Sequence, residues 1–321
     1  MNSGEGSLSV VVPIYWNEGS IQAVLDRLER ISLQIGGRLQ AVFVLDGPSD
    51  GSAKVLNTDL PNTGFEWKII ELSRNFGAFS AIQVGLVHSD CDFVGVMTAD
   101  LQEPADFILE AFRLLESGDA DVVIGCRESR ADPITQRASS WLFWRSYRRL
   151  VQPDIPRNGV DVFACTKQVA TVLGLYREAN TSLIGLLYWS GFRRATITYR
   201  RPKRDSGSSS WTFHKRFRYM ANSVYSFTTL PIMVLQGVGL VGLIASIAVG
   251  ISVLLAYLSG SIEVSGYVPV MLAVTGSTSV LLIGMGILGS YLWRIFDNTK
   301  DRPLTIVSQI HVIGDLSGEL E

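Results

Sequence analysis

Short, continuous apolar runs alternate with segments of helical periodicity through the first two-thirds of the chain. Residues 9–15 form a β-branched run that ends in the polar cluster Asn17-Glu18-Gly19-Ser20. Ile21, Val24, Leu25, Leu28 and Ile31 then recur at helical spacing with charges between them, which predicts an amphipathic helix. Further strands are predicted at 41–45, 68–72, 93–97 and 121–125, with helices over 78–87 and 103–115. Strands that are apolar throughout are buried on both faces. The alternation therefore predicts an α/β fold with a mainly parallel sheet covered by helices. Ligands of such sheets bind beyond the carboxyl ends of the strands. The chain places Asn17 and Glu18, Asp46, Arg74 and Asn75, Asp100 and Gln102, and Arg127 at successive strand ends.

The pattern changes after residue 206. Residues 206–210 are glycine and serine, and residues 211–227 interleave Lys215, Arg216 and Arg218 with Trp211, Phe213, Phe217, Tyr219 and Tyr225. Basic and aromatic side chains at helical spacing suit a helix lying among lipid headgroups, the alternative being an ordinary amphipathic surface helix. No charged residue stands between Arg218 and Glu263, nor between Glu263 and Arg294. Residues 231–258 and 267–293 each exceed the roughly 20 residues that a transmembrane helix needs. Gly237, Gly239 and Gly242, then Gly284, Gly286 and Gly289, offer small faces for helix packing. Basic residues flank the outer ends (Lys215, Arg216, Arg218; Arg294, Lys300, Arg302), whereas the connecting loop carries only Glu263. This asymmetry predicts a multi-pass inner-membrane protein with its large domain and both termini in the cytoplasm. The expected organisation is a catalytic domain over 1–210, an interfacial amphipathic helix over 211–230, two transmembrane helices within 231–294, and a strand-like tail over 295–321. The glycine faces and the tail also lead us to expect a homo-oligomer.

Composition agrees with two populations in one chain. Of 321 residues, 47% are hydrophobic and 18% charged, with a mean hydropathy of +0.25. The net charge of −2 and the lack of basic-region or zinc-finger spacing argue against nucleic acid as a partner. Three cysteines without a C-x-x-C spacing read as buried thiols of a reducing compartment. The N-terminus has no basic stretch ahead of an apolar one, so no cleaved signal is expected. The first strand lacks a G-x-G-x-x-G turn, which argues against a dinucleotide-binding dehydrogenase.

Asp100 ends the fourth predicted strand beside Gln102 and Glu103. A carboxylate there suits a divalent cation that takes its other ligands from phosphates and water. The alternative is a turn or capping aspartate ahead of the helix that Pro104 opens. The polar residues at neighbouring strand ends favour the ligand.

Several of these segments match one family. They are Val12-Pro13-Ile14-Tyr15-Trp16-Asn17-Glu18, Asp46-Gly47-Pro48-Ser49-Asp50-Gly51-Ser52, Ser73-Arg74-Asn75-Phe76-Gly77 and Ala99-Asp100-Leu101-Gln102-Glu103-Pro104. Gly125-Cys126-Arg127 and Arg204-Asp205-Ser206-Gly207-Ser208-Ser209-Ser210-Trp211 follow in the same order. The chain resembles glycosyltransferase family 2, in particular the polyprenyl-phosphate glycosyltransferases that include dolichyl-phosphate mannose synthase and bactoprenol glucosyltransferases. The resemblance implies a GT-A fold. It implies inverting transfer of a sugar from a UDP- or GDP-linked donor to undecaprenyl or dolichyl phosphate, with Mg2+ or Mn2+ as cofactor.

The resemblance further implies that Pro13, Tyr15, Asn17, Glu18 and Asp46 contact the nucleotide sugar, with Arg74, Asn75 and Gly77 near the same pocket. Asp100 and Gln102 would hold the metal on the diphosphate, and Asp161 would lie close to the acceptor. Arg127, Arg137, Arg204 and Ser209 would grip acceptor or donor phosphates, a role that suits the planar guanidinium. For Asp161 a turn residue leading into a strand is an equal alternative, as is a solvated helix position for Arg137.

Two positions depart from the family pattern. Thr98 stands where the metal motif usually begins with an acid, and Leu45-Asp46 replaces an acidic pair. One carboxylate fewer is expected to weaken cation affinity. Two other readings are a transferase with a different membrane acceptor and a membrane scaffold with a degenerate transferase domain. The first lacks the Gln-x-x-Arg-Trp motif of membrane polymerases here; the second draws its support from Thr98 and Leu45.

Overall fold

The computed structural model describes residues 6–47, 50–128, 145, 148–149, 152–156, 159–178, 181–199, 221–259, 267–300 and 302–312. Strand β1 (Leu8–Ile14) leads into helix α1 (Ile21–Gln34), β2 (Leu39–Leu45) into α2 (Ser52–Asp59), and β3 (Glu66–Leu72) into α3 (Ala78–His88). Next come β4 (Phe93–Val96), α4 (Ala105–Glu116) and β5 (Val122–Arg127), then β6 (Val162–Thr166), α5 (Lys167–Leu175), α6 (Leu183–Trp189) and β7 (Arg194–Tyr199). The eight-stranded sheet has the order β7-β5-β6-β4-β1-β2-β3-β8, where β8 is Val307–Val312.

Strands β4, β1, β2 and β3 are parallel, as their continuous apolar sequences predict. Alternate residues of β1 and β2 face opposite ways. Val10, Val12 and Phe43 join the core under α1, α2 and α4, whereas Val11, Val42 and Val44 join the core under α3, α5 and α6. Each large aliphatic or aromatic side chain buried in these layers contributes roughly 1.5–3 kcal/mol.

The outer part of the sheet is mixed. Strand β6 runs antiparallel to both β4 and β5, and β7 pairs parallel with β5. No strand is predicted over 194–199, because the run Arg-Ala-Thr-Ile-Thr-Tyr is half polar and lies at the sheet edge. The tail forms β8, antiparallel to β3 at the opposite edge.

The C-terminal third is built differently. Helix α7 (Ala221–Phe227) turns by 85° into α8 (Leu230–Leu258), across Thr228 and Thr229. Pro231 stands in the first turn of α8, where its missing N–H costs nothing. Helix α9 (Tyr267–Thr299) follows, 33 residues long. Among the described residues one stretch, Gly276–Thr299, is long and apolar enough by itself to cross a membrane. Of the glycines expected to pack helices together, only Gly284 does so, with its absent Cβ 3.3 Å from Leu235 Cδ1. Gly237, Gly239, Gly242, Gly286 and Gly289 have open space instead. Of the expected interfacial helix, residues 221–227 form α7, and 211–220 lie outside the described residues.

Candidate active site

The polar strand ends gather along one edge of the parallel sheet, at the carboxyl ends of β1, β2, β3 and β4. Two non-glycine residues there have left-handed backbones, Trp16 (φ 57°) after β1 and Leu101 (φ 53°) after β4. Such conformations are uncommon outside glycine, and they concentrate at functional loops. The turn at Trp16 leaves Tyr15 and Trp16 exposed, with ring centroids 6.4 Å apart in an edge-to-face arrangement. Asn17 Oδ1 accepts the Tyr15 N–H at 3.0 Å and so fixes this turn.

Loops after β1 and β2 are latched together. The Glu18 N–H donates to Asp50 Oδ2 at 3.0 Å, and the Gly51 N–H donates to Glu18 Oε2 at 3.2 Å. Asp50 Oδ1 also accepts the Ser52 N–H at the start of α2. A side chain at position 51 would collide with the Glu18 carboxylate, its Cβ falling 2.5 Å from Oε1.

The loops after β2 and β3 interlock as well. Asp46 is 2% exposed, and its two oxygens accept the Phe76 N–H at 2.7 Å and the Gly77 N–H at 2.9 Å. Gly47 has φ 85°, and a Cβ there would fall 2.6 Å from Arg74 C and Asn75 N. Both Asp46 oxygens therefore shape the 73–77 loop. Arg74 and Asn75 are exposed on that loop, and the Arg74 guanidinium lies 4.0 Å from the Phe76 ring centroid. Pro13 is half-buried in β1 and pairs with Val44 of β2, behind the loops.

After β4, Thr98 joins two carboxyl groups. Thr98 Oγ1 lies 2.7 Å from Asp100 Oδ1 and 2.6 Å from Glu103 Oε2, and the Thr98 N–H donates to Glu103 Oε1. A hydroxyl has one proton to donate, so Thr98 Oγ1 serves one of the two carboxyl groups at a time. Glu103 is 3% exposed, and burial pushes its carboxyl above the ordinary range despite the hydrogen bonds from Thr98. Thr98 Oγ1 is the hydrogen-bond donor that the Glu103 and Asp100 carboxyl groups share. Arg27 of α1 steadies this loop by donating to the Glu103 carbonyl at 2.8 Å. Gln102 is buried, and its N–H approaches Asp100 Oδ1 at 3.4 Å.

Among the described residues no three His, Cys, Asp or Glu side chains group as a metal site. The residues present fit a cation that arrives with a diphosphate, for which one carboxylate from the protein suffices. Asp100, half-exposed and hydrogen-bonded by Thr98, would be that carboxylate.

Asp161 lies just ahead of β6, where its N–H donates to the Gly125 carbonyl at 3.1 Å and Tyr199 donates to its Oδ2 at 3.3 Å. Strand β6 runs antiparallel to β4, with Gly95 paired to Ala164, so the start of β6 lies beside the end of β4. Asp100 and Asp161, 61 positions apart in sequence by their numbers, thus share one end of the sheet. The nearby Cys126 thiol is pushed up to about 12 by burial and by the Asp161 charge, which makes it inert as a nucleophile. Arg127 is the last residue of β5, opposite Tyr199. Arg137, Arg204 and Ser209 lie outside the described residues.

Sequence reasoning missed three supporting residues. Tyr199 holds Asp161, Asp50 latches Glu18, and Arg27 braces the Glu103 loop. Asp50 ahead of Gly51-Ser52 carries a capping pattern that was available in the sequence; Tyr199 and Arg27 reach the site only through the fold.

The sequence profile of Glycosyl transferase family 2 matches residues 9–171, which is half of the chain and spans the ends of β1 to β6. The chain belongs to that family. It is a glycosyltransferase, and its mixed, mostly parallel Rossmann-like sheet is of the GT-A type. An uncharacterized glycosyltransferase of Synechocystis sp., sll0501, is 28% identical over 94% of this chain and 95% of its own length. A bactoprenol glucosyl transferase derived from the SfII prophage of Shigella flexneri is 27% identical over 95% of this chain and 98% of its own. Both relatives are matched along nearly their whole length.

Proposed function

We propose that this family 2 enzyme is anchored in the inner membrane and transfers a sugar from a nucleoside diphosphate donor to a polyprenyl phosphate at the cytoplasmic face. The observation that carries the reading is the 85° turn between α7 and α8. A helix lying in the membrane plane, followed by one along the normal, requires such an angle. Apolar side chains along α8 and α9 support the same reading: Val241, Leu281, Leu282 and Met285 are each at least 64% exposed. Exposed apolar surface on this scale calls for a nonaqueous surrounding. We read α8 and α9 as two spans, with the 1–210 domain and β8 on the same side. The bactoprenol glucosyl transferase relative supports a polyprenyl phosphate as the acceptor.

In this reading the donor nucleotide lies across the ends of β1, β2 and β3. Tyr15, Asn17, Glu18, Arg74, Asn75 and Gly77 surround it, and Asp46 holds the 73–77 loop in shape. A divalent cation on Asp100 and Gln102 would offset the charge that develops on the leaving diphosphate. Asp161 faces the sugar and acceptor side. Arg127, Arg137, Arg204 and Ser209 are assigned to phosphate contacts. A lipid phosphate is already an anionic nucleophile, so positioning and charge stabilisation matter more than a general base. One in-line displacement at the anomeric carbon forms the bond to the acceptor oxygen, breaks the bond to the diphosphate and inverts the configuration.

The test uses full-length protein in detergent with undecaprenyl phosphate and a panel of radiolabelled UDP- and GDP-sugars, with and without EDTA. Label moving into the organic phase from one donor, and lost with EDTA, is the expected result. Transfer that survives EDTA would remove the metal from the mechanism. Absence of transfer in protein that still binds a nucleotide would favour the scaffold reading.

A further inference from the structure

The loop that carries Arg74 and Asn75 is fixed at both ends, and one of those ends is held by the tail. Asp46 holds Phe76 and Gly77. At the other end the Ser73 N–H donates to the Ile306 carbonyl at 2.9 Å. Ile306 stands immediately ahead of β8 and a short step (299 to 306) past Thr299, where α9 ends.

The pairing of β8 with β3 is not uniform. His311 faces Ile69, Ile310 faces Ile70 and Gln309 faces Glu71, but Val307 faces Leu72. Ser308 is therefore the extra residue of a β-bulge. Bulges bend a strand, raise its local twist and recur beside active sites, where they re-aim the chain. The extra residue is tied back to β3, because Ser308 Oγ donates to the Glu71 carbonyl at 3.0 Å. On the loop side of the bulge, Val307 is half-buried against the core under α3, which also receives Phe76 and Phe79. The Ser308 bond and the packing of Val307 together set the course that brings the Ile306 carbonyl to Ser73. Strand pairing by itself needs no hydroxyl at position 308; the bulge beside the loop does.

We propose that Ile306, Val307 and Ser308 form a positioning element for the nucleoside diphosphate donor, acting through the 73–77 loop, and that Ser308 is the side chain that sets it. The inference rests on the donor placement given above and adds residues of the tail to it. Arg74 and Asn75 are the exposed residues between the two fixed ends, so their approach to a donor depends on both. The element continues from α9, the helix that we read as a span. It therefore ties the donor loop to the part of the chain that faces the bilayer.

The experiment uses full-length protein in neutral detergent and compares three variants with the parent chain. Ser308→Ala removes the hydroxyl, Ser308→Thr restores it, and Gln309→Ala alters an exposed neighbour on the same strand as a control. Two quantities are read: hydrogen–deuterium exchange of peptides covering 73–77 and 309–312, and affinity for UDP and GDP by calorimetry. In Ser308→Ala, exchange at 73–77 is expected to quicken about threefold or more, as loss of one hydrogen bond implies, and nucleotide affinity to fall by a similar factor. Exchange at 309–312 and the Tm stay at the parent values. Ser308→Thr returns both readouts to the parent values, and Gln309→Ala leaves them unchanged. Unchanged exchange at 73–77 in Ser308→Ala overturns the clamp. Faster exchange with unchanged nucleotide affinity overturns its role for the donor. Equal quickening at 73–77 and 309–312 with a lower Tm reduces Ser308 to strand stability and overturns the proposal as well. A parent chain that binds neither nucleotide refutes the donor reading, and the positioning role with it, while exchange at 73–77 still separates a held loop from a free one.

Discussion

Thr98 Oγ1 lies between Asp100 Oδ1 at 2.7 Å and Glu103 Oε2 at 2.6 Å, so one hydroxyl joins the two carboxyl groups of the loop after β4. Where the family pattern usually has an acid, this chain has a hydroxyl that donates to the buried and to the half-exposed carboxyl group of the loop. The substitution keeps Asp100 oriented and lowers the number of negative charges at the site.

Thr98→Val removes the hydroxyl at nearly constant shape and leaves Asp100 and Glu103 facing an apolar group. Loss of a hydrogen bond to a charged partner costs about 1.5–3 kcal/mol. The Mg2+ or Mn2+ concentration for half-maximal transfer should therefore rise about tenfold or more, and Thr98→Ser should restore it. Titration of initial rate against cation concentration checks this. A cation dependence identical to that of the parent enzyme would sink the orienting role.

Asp46→Ala releases the Phe76 and Gly77 N–H groups that shape the 73–77 loop. We expect nucleotide affinity to fall, measured as a raised Kd in calorimetry, while Asp46→Asn, which retains one acceptor, falls less. Gly47→Ala is expected to act on the same loop by another route. Its left-handed backbone costs about 1–2 kcal/mol for a residue with a Cβ, before any contact with Arg74 and Asn75 is counted. A Tm equal to that of the parent chain would contradict the interlock.

Deleting residues 304–321 tests the tail. Strand β8 covers the edge of β3, and the Ser73 N–H at the start of the donor loop donates to the Ile306 carbonyl at 2.9 Å. Without β8 the donor KM should rise more than kcat falls, and the bare β3 edge should promote aggregation. Equal donor KM in the truncated and full-length enzymes would show that β8 has no part in positioning the loop.

The Asp121 carboxyl is held below its ordinary value of 3.8, first by hydrogen bonds from the Arg193 side chain. Arg193 Nη2 donates to Oδ1 at 2.7 Å and Nε to Oδ2 at 3.0 Å, which ties the start of β5 to the start of β7. A depressed carboxyl pKa adds stability that is present above the unfolded value and lost as pH falls through the folded one. Thermal melting between pH 6 and pH 2.5 should show a shallower acid limb for Asp121→Asn than for the parent chain, and a lower Tm at pH 6. Parallel acid limbs would refute the contribution.

The sequence alone determined the parallel half of the sheet, the two long helices and the strand-end positions of Asn17, Glu18, Asp46, Arg74, Asp100 and Gln102. These follow from local periodicity: buried strands, amphipathic helices and uncharged spans each leave a pattern within one short window. Only the tertiary structure decided what those residues touch. Asp46 turned out to clamp a loop, because its partners Phe76 and Gly77 lie 30 and 31 positions away. The antiparallel run of β6 beside β4 put Asp161 at the same end of the sheet as Asp100, through pairings such as Gly95 with Ala164 rather than any local signal. Likewise the glycines of α9 looked like a packing face in one dimension. Only Gly284 meets Leu235, and Gly286 and Gly289 stay open beside Arg294. Periodicity records which face of an element is apolar or small; the neighbour that covers it, or the space left there, depends on contacts distant in sequence.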